Sequence, residues 1–363
     1  FMCNSRVLTS VEKEGLYLDT EFNQKLLEEY KPKIDAARQA IYDLPRVKKF
    51  TKKYNQVKIE KYIESIEAEL EELDYNDPKD KRKIDSREQK ISNIRAGIFT
   101  TKKEQELIRP LNLSSPVDLP QLMYSDSGFK FPVIKNNESG KPSTDEDTLV
   151  ELRLTIKDPE SPKAIFLDKL LELRGLQKMY TTYIEGWHEK VQDDSRLHGR
   201  YNIHGTDSNR FSSADPNMQQ IPKTSVDPNI KKQLVAPPGY LYMAFDYSQA
   251  ELRMMAHLSG DETYLEAFAK GVDPHLGIAA AKYGVSIEEA SKAYEDETHP
   301  DYKLWKVRRK QAKQIAFGLI YGIGNKLLAV KLSDPKAGII VTPEEAAKEM
   351  EVFFDQHPKI REF

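Results

Sequence analysis

The stretch Tyr240-Leu241-Tyr242-Met243-Ala244-Phe245-Asp246-Tyr247-Ser248-Gln249-Ala250-Glu251-Leu252-Arg253 carries the most information in the chain. Tyr240–Phe245 is a short apolar run, which predicts a buried strand. Asp246 ends it. Ser248 and Glu251 have the spacing of a capping box, which predicts a helix starting at Ser248. Asp246 then falls at a strand–helix junction, where a carboxylate and the next backbone carbonyl can share a hard cation such as Mg²⁺. On spacing alone, an Asp that merely caps or turns the chain is the favoured reading.

Working outward, a second pattern follows. Arg309, Lys313, Phe317 and Tyr321 recur every four residues, so a helix places them on one face. Two cations followed by two aromatics match a nucleotide, phosphates first and base second. Lys303, Lys306, Arg308 and Lys310 add positive charge around them. The plain alternative is an amphipathic helix with Phe317 and Tyr321 in the core.

These segments resemble family A DNA polymerases, those of the DNA polymerase I type, bacterial or phage-like. Asp246-Tyr247-Ser248-Gln249-Ala250-Glu251-Leu252-Arg253 resembles the first catalytic motif, departing at Ala250, where Ile is usual. Arg309 to Gly322 resembles the fingers helix, with Ala316 where many relatives carry Asn. The resemblance implies template-directed DNA synthesis with two Mg²⁺ ions. Asp246 and the Tyr247 carbonyl would ligate metal, and Arg309 and Lys313 would hold the triphosphate and act in catalysis. Gln249 and Glu251 would face the nucleotide, Glu251 as a gate against a ribose 2′-hydroxyl. Phe317 would stack at the nucleotide, and Tyr321 would guard the template base. Gly271-Val272-Asp273-Pro274-His275 resembles the loop that brings a histidine, His275 here, to the phosphates.

The resemblance extends to DNA contacts. Asn209-Arg210-Phe211-Ser212-Ser213-Ala214-Asp215-Pro216-Asn217-Met218-Gln219-Gln220 looks like the palm segment at the primer–template, which implies contacts from Arg210, Asn217, Gln219 and Gln220. Arg174, Lys178 and Thr182 lie in a segment similar to the thumb-to-palm helix and would reach phosphates. Leu111–Ser115 and Gly140–Thr144 match thumb segments. The implied fold is α+β, a right-hand polymerase with a helical thumb, a palm with an antiparallel sheet, and helical fingers, incomplete at its C-terminus. Residues 1–195 would be thumb and thumb-to-palm helices, 196–258 the start of the palm, and 259–363 the start of the fingers. The family's His-Asp-Glu motif with the second catalytic Asp is absent from the sequence. The expectation is a chain inactive by itself that needs a missing C-terminal polymerase fragment. Two other readings compete: a non-catalytic primer–template-binding piece, and a single-subunit RNA polymerase relative, against which the motif around Glu251 argues.

Periodicity fills in the rest. Helical patterns run from Ser5 to Tyr42 and from Leu149 to Gly186, with a Ser/Gly/Asn/Pro-rich loop at 125–144. Arg200–His204 is a second strand candidate. Residues 45–107 are dense in Lys and Glu, with Ile59, Ile63, Ile66, Leu70, Ile91 and Ile94 at helical spacing around Asp74–Pro78. They read as an exposed helical hairpin. The resemblance adds that some phage replicative polymerases carry a thumb insertion at this place, which would make 45–107 a candidate site for DNA or a processivity factor. Gly322-Ile323-Gly324 follows a helix, not a strand, and is no dinucleotide fingerprint.

Composition constrains these readings without deciding them. The 363 residues suggest more than one core. The formal net charge of −3 is unremarkable for a nucleic-acid binder only if cations cluster. Cys3, the single cysteine, rules out an internal disulfide and points to a reducing, cytoplasmic setting. The opening Phe1-Met2-Cys3 reads as cut from a longer chain. No apolar run has membrane-spanning length, so no membrane partner is expected.

Overall fold

The structure, a computed structural model, describes residues 2–206, 210–333 and 341–363, with side chains from Arg6 onward. Asn209, quoted above, lies outside the described residues. The chain is mostly helical and divides into two compact units, residues 1–152 with 158–242 and residues 153–157 with 243–363. No described helix is long and apolar enough to cross a membrane.

In the first unit, the helix Thr20–Tyr42 starts where Asp19 accepts the Phe22 amide at 2.8 Å. Its stripe of Leu26, Tyr30, Ile34 and Ile41 is buried, and the helix packs on Pro162–Lys178. The predicted hairpin forms from Pro45–Glu71 and Pro78–Arg95. Each helix has Pro in its first turn, where no amide partner is lost. Asp77 caps the second helix through the Lys79 amide. Ile63, Ile66, Leu70, Ile84, Ile91 and Ile94 make the seam, and Arg87–Glu69 and Arg95–Glu67 pair across its outside. Thus a narrow apolar stripe holds two otherwise solvated helices.

The Pro162–Lys178 helix continues into a π-helical turn, Met179–Ile184. Such a turn shifts the hydrogen-bond ladder and leaves carbonyls that need other donors. Buried side-chain amides supply them. Asn23 Nδ2 donates to the Ile184 carbonyl at 3.0 Å and to Gln233 Oε1 at 2.7 Å. Gln233 Nε2 donates to the Tyr183 and Ile230 carbonyls, both at 3.3 Å. Asn23 and Gln233 have no exposed surface. Asn23→Leu is therefore expected to lower stability by about 2–4 kcal/mol, because several buried polar groups lose their partner at once. A urea melt with an unchanged midpoint would contradict this account of the turn.

Strands are few. Arg200–Asn202 pairs antiparallel with Ser212–Ala214, and Leu16–Tyr17 with Arg196–Leu197. The strand expected at Tyr240–Phe245 does not form. The segment is irregular, with Leu241 91%, Met243 78% and Phe245 87% exposed. The physical reason is that a strand needs a neighbour for its amides and carbonyls, and no described strand pairs with this one. The capping box at Ser248 is also corrected. The helix Ala250–Ser259 has Gln249 as N-cap, at φ 54°, without a side-chain cap bond. The left-handed turn at Gln249 starts the helix later than the box spacing implies, and the Ser248 carbonyl instead accepts from Arg253 Nε at 2.9 Å.

The second unit is a helical cluster around Leu252, Met255, Tyr264, Leu276, Trp305, Ile315, Ala316, Leu328 and Phe353. Ala316 is fully buried, so the small residue fits without a polar group to satisfy. A Cβ on Gly318 would sit 2.7 Å from Ile323 Cγ2, so a larger residue would force this turn apart. Gly322 has φ +68°, the left-handed conformation that ends the helix cheaply only with glycine.

Candidate nucleotide and nucleic-acid sites

Nucleotide candidates gather in the second unit. The helix Tyr302–Ile320 carries Arg309, Lys313 and Phe317 on successive turns, and Tyr321 is its C-cap. Arg309 Nε and Nη2 donate to Asp273 Oδ2 at 2.9 and 2.6 Å. Its guanidinium also lies 5.2 Å from the Tyr294 ring centre. Lys313 is exposed, with its ammonium 5.4 Å from the Phe317 ring centre. Phe317 is half-buried against the core, and Tyr321 is 62% exposed. So the face expected from spacing exists, graded from a fixed cation to an open aromatic. Of the flanking cations, Arg308 stacks on Tyr283 and Lys306 on Tyr302, while Lys303 and Lys310 are exposed.

His275 sits in the first turn of the helix Pro274–Lys282, which packs on the Tyr302–Ile320 helix. Its ring is 5.8 Å from Phe317 but only 1% of the residue is exposed. Neither ring nitrogen has a hydrogen-bond partner. Burial pushes its pKa down to about 4, with Asp273 opposing and Arg309 and Lys313 assisting. The imidazole is thus neutral at physiological pH. The structure places His275 beside the cationic face, as a buried neutral ring rather than an exposed cation.

Asp246, Tyr247 and Glu251 are exposed, Tyr247 at 87%. Gln249 is half-buried, its Oε1 unpaired. Among the described residues no cluster of three or more His, Cys, Asp or Glu could hold a metal. Asp246 belongs to no such cluster.

The remaining candidates lie in the first unit. Arg174 is half-buried and Nη1 donates to the Thr144 carbonyl. That bond ties it to the Gly140–Thr144 loop, while Lys178 and Thr182 are exposed. Arg210, Gln219 and Gln220 are exposed as well. Asn217 accepts the Gln219 amide at 3.0 Å, and Tyr183 Oη, from the π turn, donates to the Gln220 carbonyl at 2.7 Å. The π turn therefore fixes the backbone that presents the two glutamines.

The sequence model described as DNA polymerase family A matches residues 81–363. The chain belongs to DNA polymerase family A. Among curated family A proteins, it is 35% identical over 265 residues to the thermostable DNA polymerase I of Thermus thermophilus, covering 71% of this chain and 28% of that protein. It is likewise 35% identical over 251 residues to DNA polymerase I of Pseudomonas aeruginosa, covering 69% and 24%. The chain thus matches only about a quarter of the length of these relatives. A solved structure of the Pol1 POL domain from M. smegmatis, in complex with DNA primer–template and dNTP, is similar with a TM-score of 0.62 and 25% identity. That likeness covers 98% of this chain and 47% of the other. Family membership fits the position of the Asp246 motif and the Arg309–Tyr321 face, both inside the matched region, whereas the whole first hairpin helix, Pro45–Glu71, precedes it.

Sequence reading missed three contributors. Asp273 and Tyr294 hold Arg309, and Tyr183 supports Gln220. Only the first left a local trace: Asp273 before Pro274 is a helix-start signal, which says nothing about an arginine 36 residues away.

Proposed function

We propose that this chain supplies nucleotide- and DNA-binding parts of a template-directed DNA polymerase. The observation that carries the reading is the single helical face of Arg309, Lys313, Phe317 and Tyr321, with Arg309 already fixed by Asp273. In this reading a primer 3′-hydroxyl attacks the α-phosphate of a dNTP in line, and pyrophosphate leaves. Arg309 and Lys313 neutralise the triphosphate and the charge that develops on it. Phe317 stacks at the nucleotide, and Tyr321 borders the template base. Gln249 and Glu251 line the sugar side, with Glu251 rejecting a 2′-hydroxyl. Neutral His275 lends shape to the site and, by staying uncharged, leaves phosphate attraction to the two cations.

The donor set of Asp246 and the Tyr247 carbonyl, both oxygen, suits Mg²⁺ that completes its shell with water and phosphate oxygens. Bound there, two Mg²⁺ ions would polarise the phosphoryl oxygens and activate the hydroxyl. Asp246 would hold them together with a second carboxylate, which two-metal phosphoryl transfer needs. We place that carboxylate on a further polymerase fragment. Primer extension tests the reading: Mg²⁺-dependent extension by an assembly containing this chain supports it, and DNA binding without extension in any assembly favours a non-catalytic role.

Primer–template DNA is assigned to Arg174, Lys178, Thr182, Arg210, Asn217, Gln219 and Gln220. Amides and arginine suit sugar and minor-groove edges, and the cations suit phosphates. Thumb, palm and fingers are assigned to residues 1–195, 196–258 and 259–363. Phe317 carries a specificity prediction: strong rejection of dideoxynucleotides, relaxed in Phe317→Tyr. Competitive incorporation measures it, and equal use of both substrates by the unmodified protein contradicts it.

The hairpin is assigned to DNA rather than to a processivity factor, on charge. From Pro45 to Ile59 the first helix carries Arg46, Lys48, Lys49, Lys52, Lys53 and Lys58 and no Asp or Glu. Lys49, Lys52 and Lys53 are exposed. Replacing these three by Ala is expected to reduce the slope of log affinity against log salt by about 3, since each phosphate contact contributes roughly 0.9. An unchanged slope would return the hairpin to a protein partner.

A further inference from the structure

One carboxylate, that of Asp273, serves two tasks. Its Oδ1 accepts from the His275 and Leu276 amides at 2.9 and 3.1 Å, capping the Pro274–Lys282 helix. Its Oδ2 accepts from Arg309 Nε and Nη2. Pro274 has no amide proton, so the cap takes the first amides this helix offers, and its amino end is not left as an anion site. The phosphates must then be met by side chains. Arg309 is constrained on two sides, by Asp273 and by the Tyr294 ring at 5.2 Å. With Nε and one Nη2 hydrogen engaged, the two Nη1 hydrogens and the second Nη2 hydrogen are left for a ligand.

We propose that Asp273 is a positioning residue for triphosphate binding: it holds Arg309 in one rotamer, leaving its remaining N–H groups for the nucleotide tail, without touching the nucleotide itself. The proposal rests on the assignment of Arg309 to the triphosphate. Two effects of the carboxylate oppose each other. Its charge repels an anion, whereas its two bonds remove the rotamer freedom that an unrestrained arginine loses on binding. Asp273 and Arg309 side chains are 26% and 24% exposed, so solvent and salt screen the repulsion. The geometric restraint is not screened, and it decides the sign.

Asp273→Ser separates the two tasks. Serine is a good N-cap, so the helix start is retained, but its hydroxyl cannot take the guanidinium fork. The probe is inorganic tripolyphosphate with Mg²⁺, titrated calorimetrically into the 363-residue chain, with a thermal melt of each variant. Asp273→Ser is expected to weaken binding about tenfold and Arg309→Ala about 100-fold. The double variant is expected to bind like Arg309→Ala alone, because the carboxylate acts only through the arginine. Equal or tighter binding by Asp273→Ser, or losses that multiply in the double variant, would overturn the positioning role. Binding unaffected by Arg309→Ala, or absent in the unmodified chain, would instead remove the Arg309 assignment and the Asp273 role with it. If Asp273→Ser melts far below the unmodified chain, Asp273→Asn in the same cycle decides between these outcomes.

Discussion

Arg309→Ala is expected to weaken dNTP binding by about 100-fold, corresponding to loss of about two charge-assisted hydrogen bonds. The figure depends on preorganisation. Arg309 is pinned by Asp273 and flanked by Tyr294, so little flexibility is lost when a ligand arrives. Arg309→Lys is expected to recover little, because an ammonium cannot use a carboxylate fork and a phosphate at once. Lys313→Ala is expected to act similarly but less strongly, since Lys313 is exposed. Equilibrium titration with dNTP reads both. The change is local: Arg309 lies at the edge of the core, so a circular dichroism spectrum should stay the same while affinity falls. Equal affinity in Arg309→Ala would detach this helix from nucleotide binding.

Asp246→Asn is the second large effect. In an assembly competent for primer extension, the rate is expected to fall by about a thousandfold or more, because a metal-bound carboxylate contributes several kcal/mol to charge stabilisation. The isosteric amide leaves the fold alone. Asp246 is exposed and precedes the Ala250–Ser259 helix, whose buried contacts come from Leu252, Met255 and Ala256. Primer binding should therefore persist while extension is lost. Parallel loss of DNA affinity and extension would show that the substitution unfolds the segment, and retained extension would remove Asp246 from the metal site.

Local chemistry explains which parts of the molecule were readable in the sequence. The hairpin was, because isoleucines at helical spacing among charges have one low-energy arrangement, and Pro45 and Pro78 mark its helix starts. The Arg309–Tyr321 face was, because helical spacing fixes which side chains share a side. Tyr240–Phe245 was misread for the opposite reason. Alternation and apolarity describe a strand's side chains, but pairing is made by a distant partner, and the described residues offer none. The box at Ser248 failed because Gln249 adopts a left-handed conformation that a side-chain pattern does not reveal. The π turn and the Asp273–Arg309 clamp were invisible because each depends on residues far apart in sequence: Asn23 with Ile184, and Asp273 with Arg309. His275 was placed near phosphates by resemblance, yet its burial and lowered pKa follow only from packing.

The proposed function requires that this family A chain bind both primer–template and nucleotide. The most direct measurement is dissociation of a labelled, 3′-dideoxy-terminated primer–template from the chain under increasing salt, with Mg²⁺ and either the templated dNTP or a mismatched one. The templated dNTP is expected to raise the salt needed for release, and Arg309→Ala to abolish this shift. Release at the same salt with templated, mismatched or no dNTP would contradict it.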